Sequence, residues 1–237
     1  MDKLNLDHHI SQQFNQDLEV ARKKLMKMGG VVEQQVRDAI HSLVEADSKL
    51  AEHVVATDKE VNMMEVDLDD ECTRILALRQ PAASDLRFIL AVTKSVNDLE
   101  RIGDEASKVA RQAIELTKQG EAPKGYVEIR HIGDRVVRMV QDSLDAFARL
   151  DSHAALNILK ADKEVDLEYG TAVRAMITVM MEDPRTITRV MNVMWALRAL
   201  ERIGDHARNV AEYIIFLVEG EDTRHKGLEH VERLLDH

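Results

Sequence analysis

The string Leu-Glu-Arg-Ile-Gly-Asp occurs twice in this chain, at residues 99–104 and again at 200–205. An identity of that length within one chain marks an internal duplication, and the match extends on both sides. Val109-Ala110 returns as Val210-Ala211, and upstream Asp58-Lys59-Glu60-Val61 returns as Asp162-Lys163-Glu164-Val165. Pro81 separates the two blocks in the first copy and Pro184 does so in the second. Whatever unit the chain folds into, it is built twice.

Each copy parses into three long helices. Aromatics make up 3% of the chain and there are only three prolines, so strand formers and chain breakers are both scarce. In the first copy Met28, Val31, Val32, Gln35, Val36 and Ala39 recur at helical spacing, which predicts a helix over Asp17–Ala46. Gly29-Gly30 weakens that helix locally. Ser48 is the expected N-cap of a second helix running to Gln80, and Pro81 is expected to open a third that runs to Gln119. The second copy follows as Tyr126–Arg149, Ser152–Met181 and Pro184–Val218, with Asp151-Ser152 and Asp183-Pro184 as boundaries. The expected architecture is all-α: two tandem antiparallel three-helix bundles over residues 1–119 and 126–219. A Gly/Pro linker at 120–125 joins them, and a polar tail at 220–237 closes the chain. Methionines such as Met63, Met64, Met176, Met180, Met191 and Met194 fall on helical stripes and are expected in the core.

Charge narrows the function classes. A formal net charge of −11 argues against nucleic-acid binding, which requires a basic surface, and against docking on anionic lipid. A basic protein partner or a bound cation fits better. The N-terminal residues lack the pattern of a signal peptide, and no stretch has the ~18 consecutive apolar residues of a transmembrane helix. The one cysteine, Cys72, lies in a helical pattern and reads as a small buried apolar residue; a single thiol gives no sign of an oxidising compartment. A cytoplasmic protein is expected.

The chemistry lies in the repeated acidic pairs. Glu100 and Asp104 are one helical turn apart, as are Glu201 and Asp205. In the upstream block Asp162 and Asp166 make another such pair, whereas the first copy has Asp58 and Asn62, one carboxylate having become an amide. Gly103 and Gly204, mid-helix, each cost about 1 kcal/mol relative to alanine. Two readings stand. In one, the glycines allow close helix packing and Arg101 or Arg202 pairs with the aspartate three residues on. In the other, each pair is half of a site for a hard cation, with Mg, Mn, Fe or Ca favoured over Zn by oxygen donors.

No catalytic constellation accompanies these pairs. A ferritin-type di-iron site needs two Glu-x-x-His elements and two further glutamates, and the single such string is Glu128-Ile129-Arg130-His131. No phosphate-binding glycine loop or nucleophilic triad can be assembled, so the chain is read as a non-enzyme.

The duplicated block, together with Gln80-Pro81-Ala82-Ala83-Ser84-Asp85-Leu86-Arg87, Met28-Gly29-Gly30 with the following Val31–Val36, and Asp145-Ala146-Phe147-Ala148-Arg149, resembles the PhoU family of bacterial phosphate-uptake regulators along essentially the whole chain. The resemblance implies a fold of two three-helix bundles and negative regulation of phosphate uptake and of the phosphate-starvation response. It implies partners in the ATPase of the phosphate ABC transporter, PstB, and the sensor kinase PhoR, and a homodimer. It requires no cofactor, but it implies multinuclear metal sites in some members. The matching metal positions here are Glu100, Asp104, Glu201, Asp205, Asp162 and Asp166, with Asp58 matching and Asn62 departing from the pattern. The alternative it leaves is a metal-binding helical protein whose divalent or iron ions control partner docking.

Overall fold

A computed structural model describes residues 12–81, 83–120 and 127–236. Among the described residues seven α-helices follow one another: α1 (Gln12–Glu45), α2 (Ser48–Arg79), α3 (Ala83–Lys118), α4 (Val127–Arg149), α5 (Ser152–Glu182), α6 (Ile187–Glu219) and α7 (Leu228–Leu235), with a 3-10 turn at Pro184–Thr186 ahead of α6. α1, α2 and α3 pack together as one bundle and α4, α5 and α6 as the other. Beyond Gly120 the expected linker lies outside the described residues, as do the first eleven residues.

The helices form because each carries an apolar stripe with the period of its own turn. Along α3 the stripe is Ile89, Val92, Val96, Leu99, Ile102, Ala106, Val109, Ala113 and Leu116, all buried. Each Leu, Ile or Val so buried contributes about 1.5–3 kcal/mol.

The same connection is built in both copies. Ala46 and Leu150 end α1 and α4 in the left-handed region (φ 56° and 53°). The next residue closes a Schellman turn, Asp47 N–H donating to Ser42 O and Asp151 N–H to Ala146 O. Asp47 then caps α2 through its carboxylate, 3.0 Å from the amides of Lys49 and Leu50, and Asp151 caps α5 from 2.9 Å at Ala154 N. The expected Ser48 cap is thus displaced by one residue: Asp47, held in an extended conformation by the preceding turn, takes the cap, and Ser48 is already helical. Pro81 likewise precedes α3, which begins at Ala83.

The bundles meet through α3 against α6 and α1 against α4, and both contacts are antiparallel. Arg202 lies against Glu105 and His206 against Asp98; Gly29 lies against Leu144 and Ile40 against Gly133. Equivalent residues are 104 apart in the first two helices of each copy and 101 apart in the third. Gly29 therefore corresponds to Gly133 and Ile40 to Leu144: each copy offers a glycine to the aliphatic side chain of the other. A Cβ at Gly29 would fall 2.3 Å from a Leu144 methyl, and one at Gly133 would fall 2.9 Å from an Ile40 methyl. The glycine that weakens α1 locally is the socket on which the two bundles close.

Two further expectations need correction. The segment after Gly220 is not simply a polar tail: α7 packs on α5, burying Val231 completely and pairing Glu232 with Lys160 at 2.7 Å. Of the methionines, Met176 is buried and Met64, Met180 and Met194 are partly buried against the core, but Met63 and Met191 are exposed. Cys72 is buried as expected, and burial pushes its thiol up.

Candidate functional site

The acidic residues read from the sequence lie between the second and third helix of each bundle, where electrostatic coupling ties Glu100 to Asp104 and Asp58, and Glu201 to Asp205, Asp166 and Asp162. The two faces are built differently.

In the first bundle Asp58 accepts a hydrogen bond from the buried Ser107 hydroxyl at 3.1 Å, and Ser107 in turn accepts from the Gln35 amide at 3.3 Å. Gln35 Nε2 also donates to Val54 O, while its Oε1 is buried with no hydrogen-bond partner. That oxygen explains the mid-helix glycine, because a Cβ at Gly103 would sit 3.0 Å from it. Asn62 is exposed and adds no charge. Two carboxylates that the sequence reading missed take its place: Glu65, which couples to Asp104, and Asp69, which couples to Glu65. Burial raises Glu100, helped by Asp104 and Glu65; burial also raises Glu65, helped by Asp69. The cation here is Arg101, half exposed and loosely placed at 3.7 Å from Glu100 and 4.0 Å from Asp104. The missed pair had a signal: Asp58, Asn62, Glu65 and Asp69 step by four, three and four residues along one face of α2.

In the second bundle arginine replaces the neutral network. Arg208 stands where the first copy has Ser107 and donates to Asp162 at 3.2 Å. Met139 stands where Gln35 does, and a Cβ at Gly204 would find its nearest neighbour only at 3.6 Å. Arg198 donates to Glu201 and lies over the ring of Tyr169, the counterpart of Glu65. Arg202 does not pair with Asp205 but crosses to Glu105 of the other bundle at 2.8 Å. Burial raises Asp162 despite Arg208, and raises Asp166 with help from Asp205. Glu201 is pushed up to about 7 by burial, with Asp205 adding to it, and its Oε2 is buried without a hydrogen-bond partner.

As donors for a cation these residues have the right chemistry, hard oxygens on facing helices. Their arrangement is less suited: among the described residues no three Asp, Glu, His or Cys side chains converge as a metal site. In the second bundle two arginines already occupy the carboxylates. Glu128 and His131 line a shallow groove of about 300 Å³ with Glu168 and Leu167 between α4 and α5, away from both acidic faces. No described helix is long and apolar enough to cross a membrane.

A family model described as PhoU domain matches residues 25–113 and 129–214, one match per bundle. The chain is 61% identical over 228 residues to the phosphate-specific transport system accessory protein PhoU homolog of Pseudomonas aeruginosa, covering 96% of this chain and 94% of the relative. It is 48% identical over 235 residues to the phosphate-specific transport system accessory protein PhoU of Escherichia coli, covering 99% and 97%. The crystal structure of PhoU from Pseudomonas aeruginosa matches with a TM-score of 0.86 at 61% identity, over 88% of this chain and 100% of that one. That of the phosphate transport system regulatory protein PhoU from Streptococcus pneumoniae matches with a TM-score of 0.82 at 27% identity, over 88% and 98%.

Proposed function

The chain belongs to the PhoU family, and from that premise we propose that it is an accessory protein of a phosphate transport system that restrains phosphate uptake and the phosphate-starvation response. It does so without catalysis, as a cytoplasmic homodimeric adaptor between the phosphate ABC transporter, through its ATPase PstB, and the sensor kinase PhoR. The observation that carries this reading is near-full-length identity of 48–61% to proteins named as phosphate transport accessory proteins. The helix faces support it: the Glu100–Asp104 face gathers Glu65, Asp69, Glu100 and Asp104 around one loosely placed arginine, an excess of carboxylates suited to a basic patch on a partner. A deletion strain grown in ample phosphate is expected to express a phosphate-starvation reporter at the starved level. An unchanged reporter would refute the reading.

A second reading has its own observation. The partnerless Glu201 Oε2, facing Asp205 and Asp166, is an oxygen donor held ready for a cation. In this reading a divalent or iron ion at Asp162, Asp166, Glu201 and Asp205, with a second at Asp58, Glu100 and Asp104, alters partner docking. Elemental analysis of protein purified without chelator tests it. Bound metal lost in a Glu201→Gln, Asp205→Asn variant is the expected result; absence of metal under added Mg, Mn or Fe would refute it.

A further inference from the structure

The hairpin formed by the end of α5 and the start of α6 carries an exposed apolar stripe, as does the matching hairpin of the first copy with Leu76, Leu78, Leu86 and Leu90. Ile187, Met191 and Trp195 make one exposed stripe on α6, spaced by four residues, and Ile177 and Met181 make its continuation on α5. Trp195 is the only tryptophan of the chain and is 59% exposed; Met181 is 79% exposed. Isolated apolar side chains on a surface are ordinary, but five on adjoining helix faces form a patch. What sets this hairpin apart from its first-copy counterpart is its charge. Between residues 170 and 200 there are four arginines (174, 185, 189 and 198) against two acids (Glu182 and Asp183), in a chain whose net charge is −11; of these, Arg185 pairs with Asp183 and Arg198 with Glu201 just beyond the stretch. Arg174 has no ion-pair partner among the described residues, its side chain's one hydrogen bond going to Thr171. The antiparallel register of α3 against α6 adds Arg111, exposed and also without an ion-pair partner. The corresponding stretch of the first copy, residues 66–99, carries six acids against four bases.

We propose that this hairpin is a docking surface for a protein segment that presents apolar side chains flanked by carboxylates. An anionic bilayer is disfavoured as the occupant because the molecule as a whole repels it. A basic segment is disfavoured because the cations around Trp195 repel it, although the acidic faces elsewhere attract it. The surface is independent of the phosphate-regulation reading, since it rests on α5 and α6 alone and is tested without a phosphate reporter.

The test is a selection of displayed random 16-residue peptides on the full-length protein, counter-selected against the double variant Ile187→Glu, Met191→Glu. Circular dichroism establishes that the variant keeps its helices; if it does not, Trp195→Ser replaces it as counter-selector. The expected result is enriched peptides rich in Leu, Ile or Phe with Asp and Glu outnumbering Lys and Arg. A synthetic copy should shift the Trp195 emission to the blue and bind at least tenfold more weakly when its acids are changed to lysine. Enriched peptides that are basic, or no peptide sensitive to the variant, would overturn the proposal. So would a blue shift with phosphatidylglycerol vesicles, or dissociation of a homodimer by the double variant in sedimentation velocity, since the occupant would then be lipid or a second copy.

Discussion

The two bundles contain the same pentad and surround it with opposite chemistry. Around Glu100 the first bundle gathers Glu65, Asp69 and Asp104, keeps one loose arginine at the surface and satisfies Asp58 through neutral groups. Around Glu201 the second bundle gathers Asp162, Asp166 and Asp205 but brings Arg208 and Arg198 onto them. The first face therefore projects negative charge outward, and the second consumes much of it internally. A repeated motif fixes the backbone; the helix packed against it decides whether its carboxylates are offered to a partner or held within the fold.

The largest expected contrast comes from the groups beneath Asp58 and Asp162. Replacing Arg208 by methionine leaves Asp162, whose side chain is 5% exposed, without its cation, and is expected to destabilise the protein by about 2–3 kcal/mol at pH 8 in urea unfolding. The matched change Ser107→Ala removes a neutral hydrogen bond and is expected to cost about 1 kcal/mol. Equal losses would mean that the two networks are equivalent after all.

Next is the titration of Glu201. Its carboxyl sits at about 7 in the folded protein against 4.5 for the free group. Between those values the folded state holds more protons than the unfolded one, so this group's contribution to stability falls as pH rises through that window. Glu201→Gln is expected to flatten that slope, to stabilise by about 1–3 kcal/mol at pH 8 and to change little at pH 4.5. Thermal unfolding across pH measures it. Glu100→Gln is expected to act in the same direction, because burial raises Glu100 as well.

The glycines of the pentad sharpen the comparison at single-atom scale. Gly204→Ala meets only ordinary contacts and is expected to gain the helix propensity of alanine, about 0.5–1 kcal/mol. Gly103→Ala presses on the Gln35 amide and is expected to gain nothing or to lose about 1 kcal/mol. Gln35→Met, copying the residue of the second copy, should release that penalty. Smallest is Ala46→Gly, which relieves a left-handed backbone at an alanine and is expected to stabilise by roughly 0.5 kcal/mol; the same change at Leu150 also forfeits packing against the core.

Much of this was readable in the residues. The duplication announces two bundles because like sequences fold alike, and the period of the apolar stripes gives their helices. Glu100, Asp104, Glu201 and Asp205 could be placed on helix faces from spacing alone. What spacing could not reveal is which helix lies opposite. Ser107 and Arg208 occupy equivalent positions, yet their importance depends on facing Asp58 and Asp162 across a bundle. Gly29 looks like a weak point in α1 until Leu144, more than a hundred residues away, is seen to fill the space it leaves. α7 escaped because an eight-residue helix with one fully buried side chain has too short a stripe to stand out from a polar segment. Met63 and Met191 looked like core because helical spacing does not tell an inner stripe from an outer one.

The reciprocal sockets at Gly29 and Gly133 have a consequence for how such a chain arises. Two like surfaces, each giving a knob and receiving one, are the signature of an isologous contact between identical subunits. Joining the subunits end to end preserves the contact while releasing each half from the obligation to match the other. Gln35 and Met139, or Ser107 and Arg208, can then differ at equivalent positions, which no symmetric pair of chains encoded by a single gene could do.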